Sequence, residues 1–131
     1  MSHALPIRVL SAKDIHDLLT YDRCIAAVEQ AMSETSAGRV TLPLRQVMPV
    51  PGDRGRLGMM PGAFAADSSF GIKLISLYPD NPAFGLSSHL GLYLLFEAEH
   101  GRPRAILEAG ALTAIRTASA SAVATRHLAR R

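Results

Sequence analysis

The sequence is poor in cysteine, and this shortage excludes several kinds of site. Cys24 is the single cysteine among 131 residues, so the chain cannot form an internal disulfide or a cysteine-based metal site. A lone thiol is typical of a reducing compartment, and the sequence therefore favours a cytoplasmic protein. Cys24 falls on the apolar stripe of a predicted helix, which indicates a core thiol and not a reactive one.

Long apolar runs are also missing. No uncharged apolar run reaches the ~18 residues that a membrane-spanning helix needs. The amino-terminal segment, MSHALPIRVLSAKD, lacks the apolar stretch of a secretory signal peptide. We therefore expect neither a membrane span nor a signal for secretion.

Lysine is scarce, and arginine supplies almost all of the positive charge. The two lysines are Lys13 and Lys73, against twelve arginines, of which six lie in residues 102–131 beside one acid, Glu108. A basic segment can bind nucleic acid or an acidic membrane. Aromatic residues make up only 5% of the chain and do not alternate with the arginines, so a base-stacking surface is not expected. The sequence predicts no nucleic-acid partner and no membrane partner.

The residues that are abundant are those of a packed globular domain. Apolar residues make up 48% of the chain and charged residues 19%. A chain of 131 residues has room for one domain, but not for a substrate domain together with a complete dinucleotide-binding domain.

The apolar pattern predicts helices at both ends and a sheet between them. A short strand, Ile7–Leu10, precedes a helix from Ser11 to Leu19, which begins with a capping box completed by Asp14, and a second helix from Asp22 to Gly38. Five strands separated by turn clusters follow. They are Leu44–Val50, Leu57–Met60, Phe70–Tyr78, Leu90–Phe96 and Arg104–Glu108. A long helix of small residues, from about Ala111 to about Ala129, completes an α+β fold with a mostly antiparallel sheet.

Three cations fall where the pattern calls for apolar residues. Lys73 lies in a strand whose two faces are both largely apolar, so we expect burial on both sides and a partner for the ammonium. Arg45 shares a predicted strand face with two apolar residues, and Arg116 lies at the edge of the apolar stripe of the last helix. All three are therefore expected to point toward the core.

Two interpretations of these cations remain open on the residue pattern. In the first, acidic side chains of the protein, namely Glu97, Glu99 and Glu108, neutralise them. In the second, the cations bind a carboxylate or phosphate of a ligand, with arginine as a forked donor and lysine as a point charge.

Other motifs do not support a different chemistry. The glycine-rich stretch GDRGRLG (52–58) is not a dinucleotide fingerprint, since the glycine spacing is wrong and no helix follows. The five histidines show no spacing typical of metal ligands, so no metal site is expected. Ser88 stands beside His89, but no nucleophile elbow surrounds the pair, and we expect His89 to position backbone or ligand.

A series of short motifs runs through the second half of the chain: GIK (71–73), PDN (79–81), GLSSHLG (85–91), LFE (95–97), HGRP (100–103) and LTAIRTA (112–118), followed by a helix of small residues. In this order and spacing, residues 71–131 resemble the ornithine cyclodeaminase/mu-crystallin family. Upstream, LPLR (42–45) and MPG (60–62) also fit. The resemblance thus covers nearly all of the chain after residue 40.

The resemblance implies a fold and a set of site residues. It implies that residues 1–131 are the substrate-binding and dimerisation domain of a two-domain enzyme that uses NAD or NADP. The Rossmann half and the catalytic acid would then lie beyond residue 131, and two sheets would pair in a homodimer. By resemblance, three residues bind the carboxylate of an amino-acid or imino-acid substrate, namely Arg45, Lys73 and Arg116. By the same resemblance, two more residues, Ser88 and Thr117, are expected to lie near the nicotinamide cofactor.

The resemblance also implies a reaction class. Family members act on an amino acid or a cyclic imine, either by deaminating cyclisation or as dehydrogenases and imine reductases. Gly58 stands where ornithine-specific members carry an acidic residue, which argues against ornithine as the substrate. The alternative is a non-catalytic module for small-molecule binding or oligomerisation that lacks the cofactor domain.

Overall fold

A computed structural model describes residues 6–130 as one sheet with helices on one of its faces. The strands are β1 (Arg8–Leu10), β2 (Val40–Thr41), β3 (Gln46–Pro49), β4 (Arg56–Phe64), β5 (Ser69–Leu77), β6 (His89–Glu97) and β7 (Pro103–Glu108). The helices are α1 (Ala12–Leu18), α2 (Tyr21–Ser36) and α3 (Ala109–Leu128). Of the helices in the described residues, none is both long and apolar enough to cross a membrane.

The sheet is mostly antiparallel, as the run of strands predicts. The strand order is β1-β7-β6-β5-β4-β2, and β3 pairs with the other end of β4. Among the strand pairs in residues 6–130, only β1–β7 is parallel. Residues 6–130 therefore form an α+β domain without the alternating strands and helices of a Rossmann fold, and this confirms the predicted fold class.

The first two helices begin at side-chain caps. Ser11 and Asp14 form the predicted capping box, and the hydrogen bonds from Ser11 lower the pKa of the Asp14 carboxyl. The second helix starts earlier than predicted, because Thr20 accepts a hydrogen bond from the Arg23 backbone and caps it. Cys24 is buried, in agreement with its expected place in the core.

Strand β4 is longer than predicted. The residues Pro61 and Gly62 look like the start of a turn, yet β4 pairs with β5 along all nine residues from Arg56 to Phe64. On its other edge, β3 covers residues 56–59 and β2 covers residues 63–64. Proline is tolerated in a strand where its nitrogen meets no ladder partner, and the uncovered residues between β3 and β2 provide such a place.

The two faces of the sheet differ in exposure. Lys73 and Ile75 are buried on the face that α2 and α3 cover. On the opposite face, Phe70 is 38% exposed, and it stacks on Phe96 with ring centres 5.1 Å apart. The expectation that β5 is buried on both sides is thus wrong for a single chain, because helices cover only one side. We call the apolar surface on the other side the uncovered sheet face, and it includes Val9, Met48, Phe70, Leu90 and Leu92.

The long helix α3 is fixed at both ends. At its start, the Glu108 carboxylate accepts the backbone N–H groups of Gly110 (2.6 Å) and Ala111 (2.7 Å). In its middle, Ser119 is fully buried and its hydroxyl donates to the Ile115 carbonyl at 2.8 Å. Near its end, Arg126 reaches the Glu29 carboxylate of α2 at 3.2 Å. The cap at Glu108 fixes where α3 begins after β7, and the ion pair with Glu29 joins its end to α2.

Candidate functional site: an apolar cavity with two cations

A cavity of about 560 Å³ lies between the covered face of the sheet and the helices α2 and α3. Its wall is almost entirely apolar, with residues such as Leu42, Met60, Phe64 and Leu112. Two of its lining residues, Lys73 and Arg116, carry positive charge, and none of the lining residues is acidic. The volume and composition are those of a small-molecule site, in which a few polar groups orient the ligand.

Lys73 comes from the middle of the sheet. It is 8% exposed and lies in register between Met60 of β4 and Tyr93 of β6. Its Nζ atom lies 5.7 Å from the centre of the Tyr93 ring. Within residues 6–130, no carboxylate lies within ion-pairing distance of this ammonium.

Arg116 reaches the cavity from the second turn of α3. The preceding residue, Ile115, is buried, and this orientation of the helix leaves Arg116 exposed at the cavity's edge. The expectation that Arg116 points toward the core is therefore wrong, because its position at the edge of the apolar stripe lets the side chain reach solvent. The described part of the chain offers it no acidic partner either. A guanidinium with unused donors at the same cavity as an ammonium can bind a carboxylate.

The three acids proposed as internal partners have other roles. Glu97 accepts the backbone N–H groups of residues 99, 100 and 102, and the donor at Arg102 is the main cause of its lowered pKa. Glu108 caps α3, and Glu99 lies 3.8 Å from the His100 ring nitrogen. The interpretation in which these acids neutralise the three cations therefore finds no support among the described residues.

Two glycines leave room for the cavity. Gly62 and Gly71 face each other across β4 and β5, next to the Met60–Lys73 pair, and both line the cavity. A Cβ atom at Gly71 would lie 2.4 Å from the Leu94 carbonyl oxygen. Glycine is therefore needed at residue 71 for the close approach of β6, and its missing side chain deepens the cavity.

Three predicted site residues lie outside the cavity wall. Arg45 is exposed in the segment before β3, so it does not point toward the core as expected, because the strand begins only at Gln46. Ser88 precedes β6, with its Oγ atom 2.8 Å from the His89 Nδ1 atom. Thr117 is exposed on α3 beside Arg116. The structure thus brings Lys73 and Arg116 to one cavity, and the roles of the other three stay predictions.

Within residues 6–130, the groups that could hold a metal or a dinucleotide have other uses. Glu97, Glu99 and His100 place ligand atoms within 4.8 Å of one another, but the Glu97 oxygens already accept N–H groups of the turn. The N-termini of the three α-helices are capped by side chains and not by glycine-rich turns. The described residues therefore do not form a cradle for a pyrophosphate group.

Tyr93 is an aromatic lining residue that was not predicted from the sequence as part of the site. Tyr93 is the cross-strand neighbour of Lys73 and lines the same cavity. The strand pattern places it on the face opposite to Leu92 and Leu94, but only the register of β5 with β6 shows that it meets Lys73.

Several curated proteins are similar to this chain in sequence. The chain is 34% identical over 122 residues to Delta(1)-pyrroline-2-carboxylate reductase of Bacillus thuringiensis, an alignment that covers 93% of this chain and 38% of the relative. It is 36% identical over 123 residues to ketimine reductase mu-crystallin of Mus musculus, which covers 91% of this chain and 39% of the relative. The chain thus spans about two fifths of the length of the curated relatives it matches.

Solved structures share the fold of this chain. The Delta(1)-pyrroline-2-carboxylate reductase of Thermococcus litoralis, in complex with NADH and L-proline, superposes with a TM-score of 0.88 at 36% identity. The alignment covers 95% of this chain and 38% of that one. An archaeal alanine dehydrogenase dimer with bound NAD gives a TM-score of 0.86 at 28% identity, with 95% and 38% covered.

The family itself follows from the sequence profile. The profile described as "Ornithine cyclodeaminase/mu-crystallin family" matches residues 7–131. With the fold, the cavity and these relatives, the match shows that the chain belongs to the ornithine cyclodeaminase/mu-crystallin family.

Proposed function

We propose that residues 1–131 are the substrate-binding and dimerisation domain of an NAD(P)-dependent enzyme that acts on an imino acid or amino acid. The observation that carries this proposal is the pair of cations, Lys73 and Arg116, at an otherwise apolar cavity without an acidic residue. Such a pair binds the substrate carboxylate. Arg45, which lies in the exposed segment close to β3, is the third proposed ligand of this carboxylate.

The cavity wall favours a particular class of substrate. An α,ω-diamino acid carries a distal ammonium, which would need an acidic partner, and no such residue lines the cavity. Residue 58, where ornithine-specific members of the family would carry an acid, is a glycine and does not line the cavity. A carboxylate with a small apolar or cyclic body fits better, and two of the relatives described above act on pyrroline-2-carboxylate. Imine reduction, or the reverse dehydrogenation, is therefore the proposed reaction and not deaminating cyclisation.

In this proposal, the chain orients the substrate and the nicotinamide supplies or accepts the hydride when bound. Charge-assisted hydrogen bonds from Lys73 and Arg116 hold the carboxylate, which fixes the adjacent α-carbon, and such orientation accounts for part of the rate of many enzymes. Ser88 and Thr117 are the proposed contacts of this chain with the nicotinamide end of the cofactor.

The uncovered sheet face is the proposed dimer interface. Its apolar side chains include Val9 (71% exposed), Met48 (48%) and Leu92 (44%), and a second copy of the sheet would bury them. A twofold dimer presents the same patch from both copies, so a flat apolar sheet face pairs with itself.

The proposed function is tested by the binding of L-proline to the 131-residue chain, measured by titration calorimetry. We expect binding by the wild type and a loss of at least tenfold in Lys73→Met, since a charge-assisted hydrogen bond is worth about 1.5–3 kcal/mol. Lys13→Met is the matched control, because Lys13 is exposed and pairs with Asp17 on α1. Equal affinity in all three chains would contradict the proposed site.

An assay of enzyme activity distinguishes the proposed function from the alternative, a non-catalytic binding module. In a protein that includes any sequence following residue 131 in the gene, we expect oxidation of NADH or NADPH with Delta(1)-pyrroline-2-carboxylate as substrate. Proline binding without turnover, and without binding of either nucleotide, would favour the non-catalytic module.

A further inference from the structure

Tyr93 is the aromatic neighbour of the cavity's buried ammonium. Lys73 and Tyr93 are Cα partners across β5 and β6, and the Lys73 Nζ atom lies 5.7 Å from the centre of the Tyr93 ring. This distance is within the range of a cation–π interaction. Both side chains line the cavity, so the ring and the ammonium belong to the same wall.

The ammonium needs compensation that does not block the site. Lys73 is 8% exposed, and no carboxylate pairs with it within residues 6–130. A buried charge without compensation is unfavourable. A carboxylate partner would occupy the N–H donors of the ammonium, whereas a ring face attracts the charge and leaves donors available for a ligand.

We propose that Tyr93 is a positioning residue for substrate binding: its ring holds the Lys73 ammonium at the cavity wall with N–H donors directed to the substrate carboxylate. This inference rests on the proposed function, since it concerns the same carboxylate. It adds a specific requirement for an aromatic ring at residue 93, independent of the tyrosine hydroxyl. Phenylalanine at residue 93 should therefore preserve substrate binding, whereas an aliphatic residue there should weaken it.

The position of the ammonium is measured by NMR on the 131-residue chain labelled with ¹³C at the lysine ε-carbons. The sequence contains only Lys13 and Lys73, so two signals report the whole lysine content. Lys13, whose side chain is 82% exposed, is the internal control. We expect an upfield ring-current shift of the Lys73 ε-protons and nuclear Overhauser contacts from these protons to the Tyr93 ring.

The function of the ring is measured by the binding of L-proline to two variants. Tyr93→Phe should keep the ring-current shift and bind L-proline within about twofold of wild type. Tyr93→Leu should lose the shift and bind about threefold to tenfold more weakly, as expected for the loss of a partly desolvated cation–π contact. If Tyr93→Leu does not fold, Tyr93→Met provides a longer side chain without a ring. Tyr21→Leu, on the exposed side of α2, is the matched control.

The outcomes separate this inference from the proposed function. If the wild type does not bind L-proline while the Lys73 signal shows its contacts to the ring, the proposed function fails and the pairing stands without its role. If the wild type binds and the aliphatic variants bind equally well, Tyr93 has no positioning role although the carboxylate site stands. Absence of contacts between the Lys73 ε-protons and the ring would also overturn the inference.

Discussion

Gly62 and Gly71 face each other across β4 and β5, one pair along from Met60 and Lys73 on the same face of the sheet. Neither glycine has a side chain that would occupy the cavity. The neighbouring atoms leave less room for a Cβ atom at Gly71 than at Gly62. A Cβ atom at Gly71 would meet the Leu94 carbonyl oxygen at 2.4 Å, whereas one at Gly62 would meet the Leu42 Cδ2 atom at 3.1 Å. A backbone atom cannot move as a side-chain methyl can.

Gly71→Ala should therefore destabilise the domain more than Gly62→Ala does. Overpacking against a backbone atom costs about 1–3 kcal/mol, and we expect Gly71→Ala to lose an amount in this range. The Leu42 side chain can rotate away, so Gly62→Ala should lose less. Urea unfolding of both variants measures the free energies of unfolding. Equal losses would show that the sheet relaxes at Gly71.

The two arginines proposed to bind the carboxylate should contribute unequally. Arg116 lines the cavity and Arg45 does not, so Arg116→Ala should weaken L-proline binding about tenfold and Arg45→Ala should weaken it less. Arg104→Ala is the control, because Arg104 lies on β7 away from this cavity. Calorimetric titration gives the three affinities. A larger loss in Arg45→Ala would mean that the segment before β3 folds over the bound ligand.

Removal of the cap of α3 should cost stability. Glu108 accepts two backbone N–H groups in the first turn of α3, and loss of an N-cap costs about 0.5–2 kcal/mol. We expect Glu108→Ala to fall in that range in thermal or urea unfolding. Glu99→Ala serves as the comparison, since Glu99 is exposed outside the helix. A wild-type stability in Glu108→Ala would show that α3 is held by its packing alone.

The contact between α2 and α3 should respond to acid. The hydrogen bond from the His127 ring lowers the pKa of the Glu29 carboxyl, and the charge of Arg126 lowers it further. A carboxyl with a lowered pKa stabilises the fold fully above its ordinary pKa of about 4.3, and this contribution is lost as the pH falls through the lowered value.

Glu29→Gln should therefore reduce the acid sensitivity of the domain. We expect the variant to be less stable than the wild type near neutral pH, with the difference shrinking as the pH falls below about 4. Unfolding midpoints measured across this pH range test the expectation, with Glu99→Gln as the control. A difference that persists unchanged at low pH would exclude the carboxylate as its source.

The proposed dimer predicts a change in assembly for Leu92→Glu. Leu92 is 44% exposed on the uncovered sheet face, and a carboxylate there would be buried without a partner in the dimer. We expect the wild-type chain to sediment as a dimer and Leu92→Glu as a monomer. Leu86→Glu, in the loop before β6, should leave the assembly unchanged. A wild-type chain that stays monomeric at high concentration would contradict a dimer through this face.

Local sequence signals were sufficient for most of the elements. The capping box at Ser11 and the strand β5 depend on residues close together in the chain, and the structure confirms both. Two predictions were wrong, the start of α2 and the length of β4. The helix starts earlier because Thr20 caps it, and β4 is longer because β5 pairs with it along its whole length although it contains a proline.

By itself, the sequence determined the α+β class, the mostly antiparallel sheet and the inward position of Lys73, since periodicity and local caps encode these features. Only the tertiary structure decided which cations share a cavity. Lys73 and Arg116 are far apart in the chain and line the same cavity because α3 packs over β6, whereas Arg45 lies outside the cavity wall. It also decided that Tyr93 lies beside Lys73, because cross-strand register depends on the pairing of whole strands and not on the residues near either side chain.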